Sequence, residues 1–122
     1  MKPRSINHIV FNVKNIENTK NFYRSFLGEP ETESEDEVIF TVGDTFIFFV
    51  QPEEEIQYLD KDRGGINHLA FNVNSPEDLE VFAKQLDDAG IIRSEIKPCP
   101  YSGKSYIWFD DPDGYRLELY CQ

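Results

Sequence analysis

Ile66-Asn67-His68-Leu69-Ala70-Phe71-Asn72-Val73 restates a phrase that opens the chain, Ile6-Asn7-His8-Ile9-Val10-Phe11-Asn12-Val13. Shifted by sixty places, positions 6–22 match positions 66–82 at eight of seventeen. Both copies alternate with a period of two, the pattern of a strand with one packed face and one open face. In the first copy Asn7, Ile9, Phe11 and Val13 are expected to press on a helix, with His8, Val10 and Asn12 opposite. In the second, Leu69, Phe71 and Val73 pack, and His68, Ala70 and Asn72 face away. The chain has only two histidines, and both fall at the same place in the repeat.

Working outward, each copy leads into a helix. Asn15 is placed to cap a run in which Ile16, Thr19, Phe22, Tyr23, Phe26 and Leu27 recur at helical spacing, closed by Gly28-Glu29-Pro30. Ser75-Pro76-Glu77-Asp78 gives the second helix a capping serine, a proline at the first helical position and early acids. Its stripe is Leu79, Phe82, Ala83, Leu86 and Ala89, and Gly90 ends it. The acidic stretch 31–37 predicts a loop or an edge. Val38–Val42 and Thr45–Gln51 predict strands joined at Gly43-Asp44. The polar segment from Pro52 to Gly65 is a linker. After the second helix, Ile91–Lys97 predicts a short strand, Pro98 to Gly103 a loop, and Ser105–Asp110 and Tyr115–Cys121 strands around the turn Asp111-Pro112-Asp113-Gly114. Each half therefore reads strand, helix, then two or three strands.

A repeat of about sixty residues in a chain of 122 implies two half-domains sharing a core. The expected organisation is one domain, 1–122, of two modules at about 4–52 and 65–121. Ten Phe and six Tyr support a packed interior. A net charge of −11 opposes docking on nucleic acid or anionic lipid, and no apolar run reaches the ~20 residues of a membrane helix. Charge of this size is also what an ordinary soluble surface carries. The two cysteines, Cys99 and Cys121, stand far apart in no metal-binding pair, and with no export signal the expected setting is reduced and cytoplasmic.

The final strand carries the remaining chemistry. Arg116, Glu118 and Tyr120 share one face, and Leu117 and Leu119 share the packed one. Glu118 thus points to the same side as His8 and His68. A carboxylate aimed into a cavity needs a positive partner. Two neutral imidazoles and one carboxylate make a facial triad for a divalent transition metal, with open positions for water or substrate. Taken singly, each histidine is what a surface strand carries, and Glu118 is an ordinary solvated strand residue. The coincidence of the two histidines in the repeat is what favours the metal.

The opening phrase, its copy at 66–73 and the ending Tyr106-Ile107-Trp108-Phe109-Asp110-Asp111-Pro112-Asp113-Gly114-Tyr115-Arg116-Leu117-Glu118-Leu119 resemble the vicinal oxygen chelate superfamily over nearly the whole chain. That group contains glyoxalase I, extradiol dioxygenases, fosfomycin-resistance proteins, methylmalonyl-CoA epimerase and bleomycin-resistance proteins. The resemblance implies an α+β fold of two paired βαβββ modules forming a cup-shaped curved sheet with helices outside. It implies one divalent ion per site (Mn, Fe, Co, Ni or Zn), held from the first and last strands of each half, with His8, His68 and Glu118 as ligands. The fourth ligand place would fall at about Phe48 or Phe49, where no carboxylate or amide stands. This departs from glyoxalase I and the epimerase, whose first half supplies Glu or Gln there. Two histidines and one glutamate match the ligand count of fosfomycin-resistance enzymes.

The function so implied is a metal-dependent enzyme of the glyoxalase, dioxygenase or thiol-transferase type, in which the ion chelates vicinal oxygens of a small substrate. Phe48, Tyr106, Trp108 and Arg116 would line the pocket, and no general base is assigned. A homodimer is implied, and the site is completed within one chain or across two. The alternative is a binding protein of the bleomycin-resistance type that holds a drug or metabolite without reaction.

Overall fold

In the computed structural model, which describes residues 1–54 and 64–121, the first copy of the phrase forms the strand His8–Asn12 (β1). A helix follows at Ile16–Leu27 (α1), then strands Thr32–Glu33 (β2), Glu37–Val42 (β3) and Thr45–Val50 (β4). The second copy forms His68–Val73 (β5), followed by a helix at Pro76–Asp88 (α2) and strands Lys97–Pro98 (β6), Ser105–Asp110 (β7) and Arg116–Cys121 (β8). The chain divides into two compact units, 1–57 and 58–122. Most of the expected linker, residues 55–63, lies outside the described residues.

Each unit holds one four-stranded mixed sheet, in the orders β1-β4-β3-β2 and β5-β8-β7-β6. The histidine strand pairs in parallel with the last strand of its own unit, and the other pairings are antiparallel. This is the βαβββ order that the resemblance implies, with three strands after the helix where the repeat alone allowed two or three.

Both helices begin where the capping chemistry places them. The Asn18 amide donates to the Asn15 side chain at 2.9 Å, and the Asp78 amide to Ser75 Oγ at 3.1 Å. α1 lies on β3 and β4, where Tyr23 packs on Phe49 with ring centroids 4.1 Å apart and Phe11 stacks on Phe49 at 5.4 Å. α2 lies on β5, β7 and β8 and buries Leu79 and Leu86 with Ile107, Phe109, Leu117 and Leu119. Burial of each such side chain stabilises the fold by roughly 1.5–3 kcal/mol.

Several expectations need correction. Ile91–Lys97 is not a continuous strand: β6 begins only at Lys97, and earlier there is a single bridge between Arg93 and Phe109. The Ser94 amide donates to the Trp108 carbonyl at 2.8 Å, and side chains add to this backbone pairing. The Trp108 amide donates to Ser94 Oγ at 2.9 Å, and the Arg93 guanidinium turns back to Asp87 in a two-pronged pair at 2.9 Å each. That pairing holds the Asp87 carboxyl below the usual carboxylate range.

Ala89, counted in the buried stripe, is an exposed helix cap whose amide donates to the Gln85 carbonyl. Asn7, placed with the helix-facing set, is exposed and precedes β1. The acidic stretch does supply an edge, as the two-residue β2.

Candidate metal centre

The turn before β8 fixes where that strand starts. Asp111 is buried, and its Oδ1 accepts from the amides of Asp113 and Tyr115, each at 2.9 Å. Gly114 closes the turn at φ 91°, a conformation that other residues avoid. β8 then runs beside β5 with His68 opposite Arg116 and Ala70 opposite Glu118. Leu117 and Leu119 go into the core, leaving Arg116, Glu118 and Tyr120 on the open face with His68.

His68 and Glu118 meet on that face. His68 Nε2 lies 3.5 Å from Glu118 Oε2, with the side chains 41% and 18% exposed. The other ring nitrogen, Nδ1, donates to Asn67 Oδ1 at 2.8 Å. A neutral ring protonated at Nδ1 presents a lone pair at Nε2. That lone pair and a carboxylate oxygen then face each other with no proton between them, and a cation suits such a pair. If the ring takes a second proton, the same two groups close as an ion pair.

His8 belongs to the first unit. Its Nδ1 donates to Asn7 Oδ1 at 2.8 Å, and its ring lies 5.5 Å from that of Phe48. Register decides which phenylalanine stands where the second unit has its carboxylate. Val10 pairs with Phe48 as Ala70 pairs with Glu118, and Phe49 is fully buried on the helix side. The place equivalent to Glu118 is therefore Phe48. Among the described residues, no cluster of three His, Cys, Asp or Glu side chains with metal-binding spacing forms within either unit.

The remaining candidates of the second unit lie on its open face. Arg116 lies over Trp108, with Cζ 4.0 Å from the ring centroid, and its Nε donates to Asp110 Oδ1 at 2.5 Å. Tyr106 stacks on Tyr120 with centroids 6.1 Å apart. Beyond them, the Tyr120 hydroxyl and Ser102 hydrogen-bond the Cys99 thiol and hold it down to about 7, from an ordinary 9.0. Sequence reading missed the Asn67 contact, although the Asn-His dipeptide recurs intact in both copies. It also missed the Cys99 cluster, which long-range pairing assembles.

The sequence matches the family model for the Glyoxalase/Bleomycin resistance protein/Dioxygenase superfamily over residues 5–119. It is 32% identical over 119 residues to the metallothiol transferase FosB of Shouchella clausii, covering 94% of this chain and 78% of that protein. To a manganese-dependent 2,3-dihydroxybiphenyl 1,2-dioxygenase of Geobacillus genomosp. 3 it is 29% identical over 116 residues, covering 93% of this chain and 35% of that one. The crystal structure of a glyoxalase family protein from Enterococcus faecalis superposes with a TM-score of 0.76 at 29% identity, covering 96% of this chain and 97% of that one.

Proposed function

From the premise that the chain belongs to the Glyoxalase/Bleomycin resistance protein/Dioxygenase superfamily, we propose that it is a metal-dependent enzyme acting on a small molecule. The ligands are His68 and Glu118 of the second unit, with His8 as the third. The observation that supports this most directly is His68 Nε2 set 3.5 Å from the Glu118 carboxylate. A bound divalent ion, whether Mn, Fe, Co, Ni or Zn, supplies Lewis acidity toward adjacent oxygens of the substrate.

The chain's own residues bind and orient. Phe48 gives an apolar wall beside His8. Arg116, immobilised between Trp108 and Asp110, holds its cation on the strand position opposite His68. Tyr106 offers a hydroxyl on the same face. With both histidines used as ligands, none remains as an acid or base, and with Phe48 in place of a second carboxylate, proton abstraction by a ligand glutamate of the first unit is disfavoured. Transfer of a thiol to an oxygen-rich acceptor fits this set best.

The working unit is a homodimer in a reduced, cytoplasmic setting, in keeping with two free cysteines. Among the described residues no helix is long and apolar enough to cross a membrane. A non-catalytic binding module is not favoured, since the similar proteins include a metallothiol transferase and a manganese-dependent dioxygenase.

The test is the metal content of protein purified without chelator and then exposed to Mn, Fe, Co, Ni and Zn salts in turn. Near-stoichiometric metal, lost in His68→Ala, is expected. A wild-type protein that retains none of the five overturns the reading. Loaded protein is then screened with fosfomycin and thiols, with catechols and with thiol adducts.

A further inference from the structure

The two histidines share more than their place in the repeat. In each unit the residue just before the histidine is an asparagine, and in each unit its Oδ1 lies 2.8 Å from the histidine Nδ1. An amide oxygen only accepts, so the ring nitrogen facing it must carry the proton. A neutral imidazole has one such proton, and fixing it on Nδ1 leaves the lone pair on Nε2. In the first unit the asparagine is itself anchored although it lies outside β1. Its carbonyl accepts from the Phe46 amide at 2.9 Å, and the preceding carbonyl, of Ile6, accepts from Thr45 Oγ1 at 2.8 Å. In the second unit the nitrogen left free is the one that meets Glu118.

We propose that Asn7 and Asn67 are positioning residues for His8 and His68. Each fixes the tautomer and ring orientation of the histidine that follows it and keeps Nε2 available as a donor. Their role toward a metal rests on the reading above; the tautomer is a property of the protein alone. Groups that hold the second ring nitrogen of a ligating histidine typically change metal affinity by roughly 10–100-fold when removed.

The experiment uses full-length protein labelled with ¹⁵N at histidine, free of metal, at alkaline pH where the rings are neutral. Two-bond ¹H–¹⁵N spectra read the tautomer directly. Both rings are expected as Nδ1–H. Asn67→Ala is expected to move His68 toward Nε2–H while His8 stays as it was, and Asn67→Asp, which keeps an acceptor oxygen, is expected to restore Nδ1–H. Asn7→Ala gives the independent arm on His8.

In parallel, titration with Zn(II) alone is expected to show a loss of roughly 10–100-fold in Asn67→Ala, most of it recovered in Asn67→Asp. Wild-type rings in the Nε2–H form, or an alanine variant whose tautomer does not move, overturn the proposal. Tautomers that move as expected in a protein that binds no Zn(II) support the positioning role and count against the metal reading instead.

Discussion

The two units follow one course and carry opposite walls. Register makes the comparison position by position. Opposite the histidine strand, the first unit presents Phe46, Phe48 and Val50 where the second presents Arg116, Glu118 and Tyr120. One strand further out, Ile39 pairs with Phe48 as Trp108 pairs with Glu118, and Thr41 pairs with Phe46 as Asp110 pairs with Arg116. Three side chains with ionisable or hydrogen-bonding groups in one unit thus correspond to three apolar ones in the other. What both keep is the Asn-His pair and the buried layer beneath it. The two units share the scaffold, and the charge is concentrated on one wall. The histidine of the apolar wall rests on a phenylalanine, and its counterpart faces a carboxylate.

The shared layer is the first half of that comparison to break, and the effect should be the largest. Phe49 and Leu119 occupy equivalent inner positions, opposite Phe11 and Phe71, and both are buried. Phe49→Ala is expected to cost about 3–5 kcal/mol and Leu119→Ala about 2–5 kcal/mol, against a total of about 5–15 kcal/mol for a typical domain. Urea unfolding of the two variants checks this. A loss within about 0.5 kcal/mol for either would mean that its unit is not held together by that layer.

The walls come next. Glu118→Ala is expected to weaken metal binding by more than the roughly 10–100-fold that an outer-shell change costs, and Phe48→Ala to leave it unchanged. Titration calorimetry with Zn(II) on both variants decides the matter. Equal losses would show that the difference at this position is one of packing and not of ligation.

How much of this was legible in the sequence follows from the same asymmetry. β1, β5 and β8 alternate cleanly, so their faces, and Glu118 on the side of His68, could be read directly. β4 reads Thr-Phe-Ile-Phe-Phe-Val, apolar on both faces, and a run without alternation gives no face assignment. Only pairing with β1 shows that Phe48, and not Phe49, stands in the ligand place. The segment Ile91–Lys97 reads as a short strand in the sequence, and only its last residue enters one, β6. Ile92 is almost fully exposed, and before β6 the backbone pairing shrinks to the Arg93–Phe109 bridge and the Ser94–Trp108 bond, supplemented by the Ser94 hydroxyl, which local propensity cannot foresee. The Asn-His contacts were present in the letters, but alternation alone assigned Asn7 to the helix-facing side.

A smaller effect tests whether the helices are equally set in both units. Asn15 and Ser75 cap α1 and α2 by the same bond to the third residue on. Alanine at either is expected to cost about 1 kcal/mol, read as a lower urea midpoint with an unchanged slope. A clear inequality would mean that one helix owes its start to something else. In α1 the extra candidate is Gln51, whose Oε1 accepts from the Ile16 amide at 2.8 Å.

The subtlest difference lies at the end of the last strand, where the first unit has Val50 and the second Tyr120. Valine there can only pack. The tyrosine hydroxyl reaches Cys99 and, with the Ser102 hydroxyl and the backbone of Ser102 and Tyr101, brings the thiol to about 7 from 9.0. The phenol moves the other way, held up chiefly by its hydrogen bond to Cys99. The sign follows from which form gains: these bonds favour the thiolate, so thiolate accumulates as pH rises through about 7, well before an ordinary thiol ionises. Alkylation of Cys99 by iodoacetamide should therefore accelerate with a midpoint near that value. Tyr120→Phe removes the largest contribution and should move the midpoint up toward 9.0. Cys121, buried in β8, should stay unmodified in folded protein and serves as the internal control. A Cys99 midpoint that does not respond to Tyr120→Phe would leave the exchange of valine for tyrosine as packing alone, and the polar wall of the second unit would then end at Glu118.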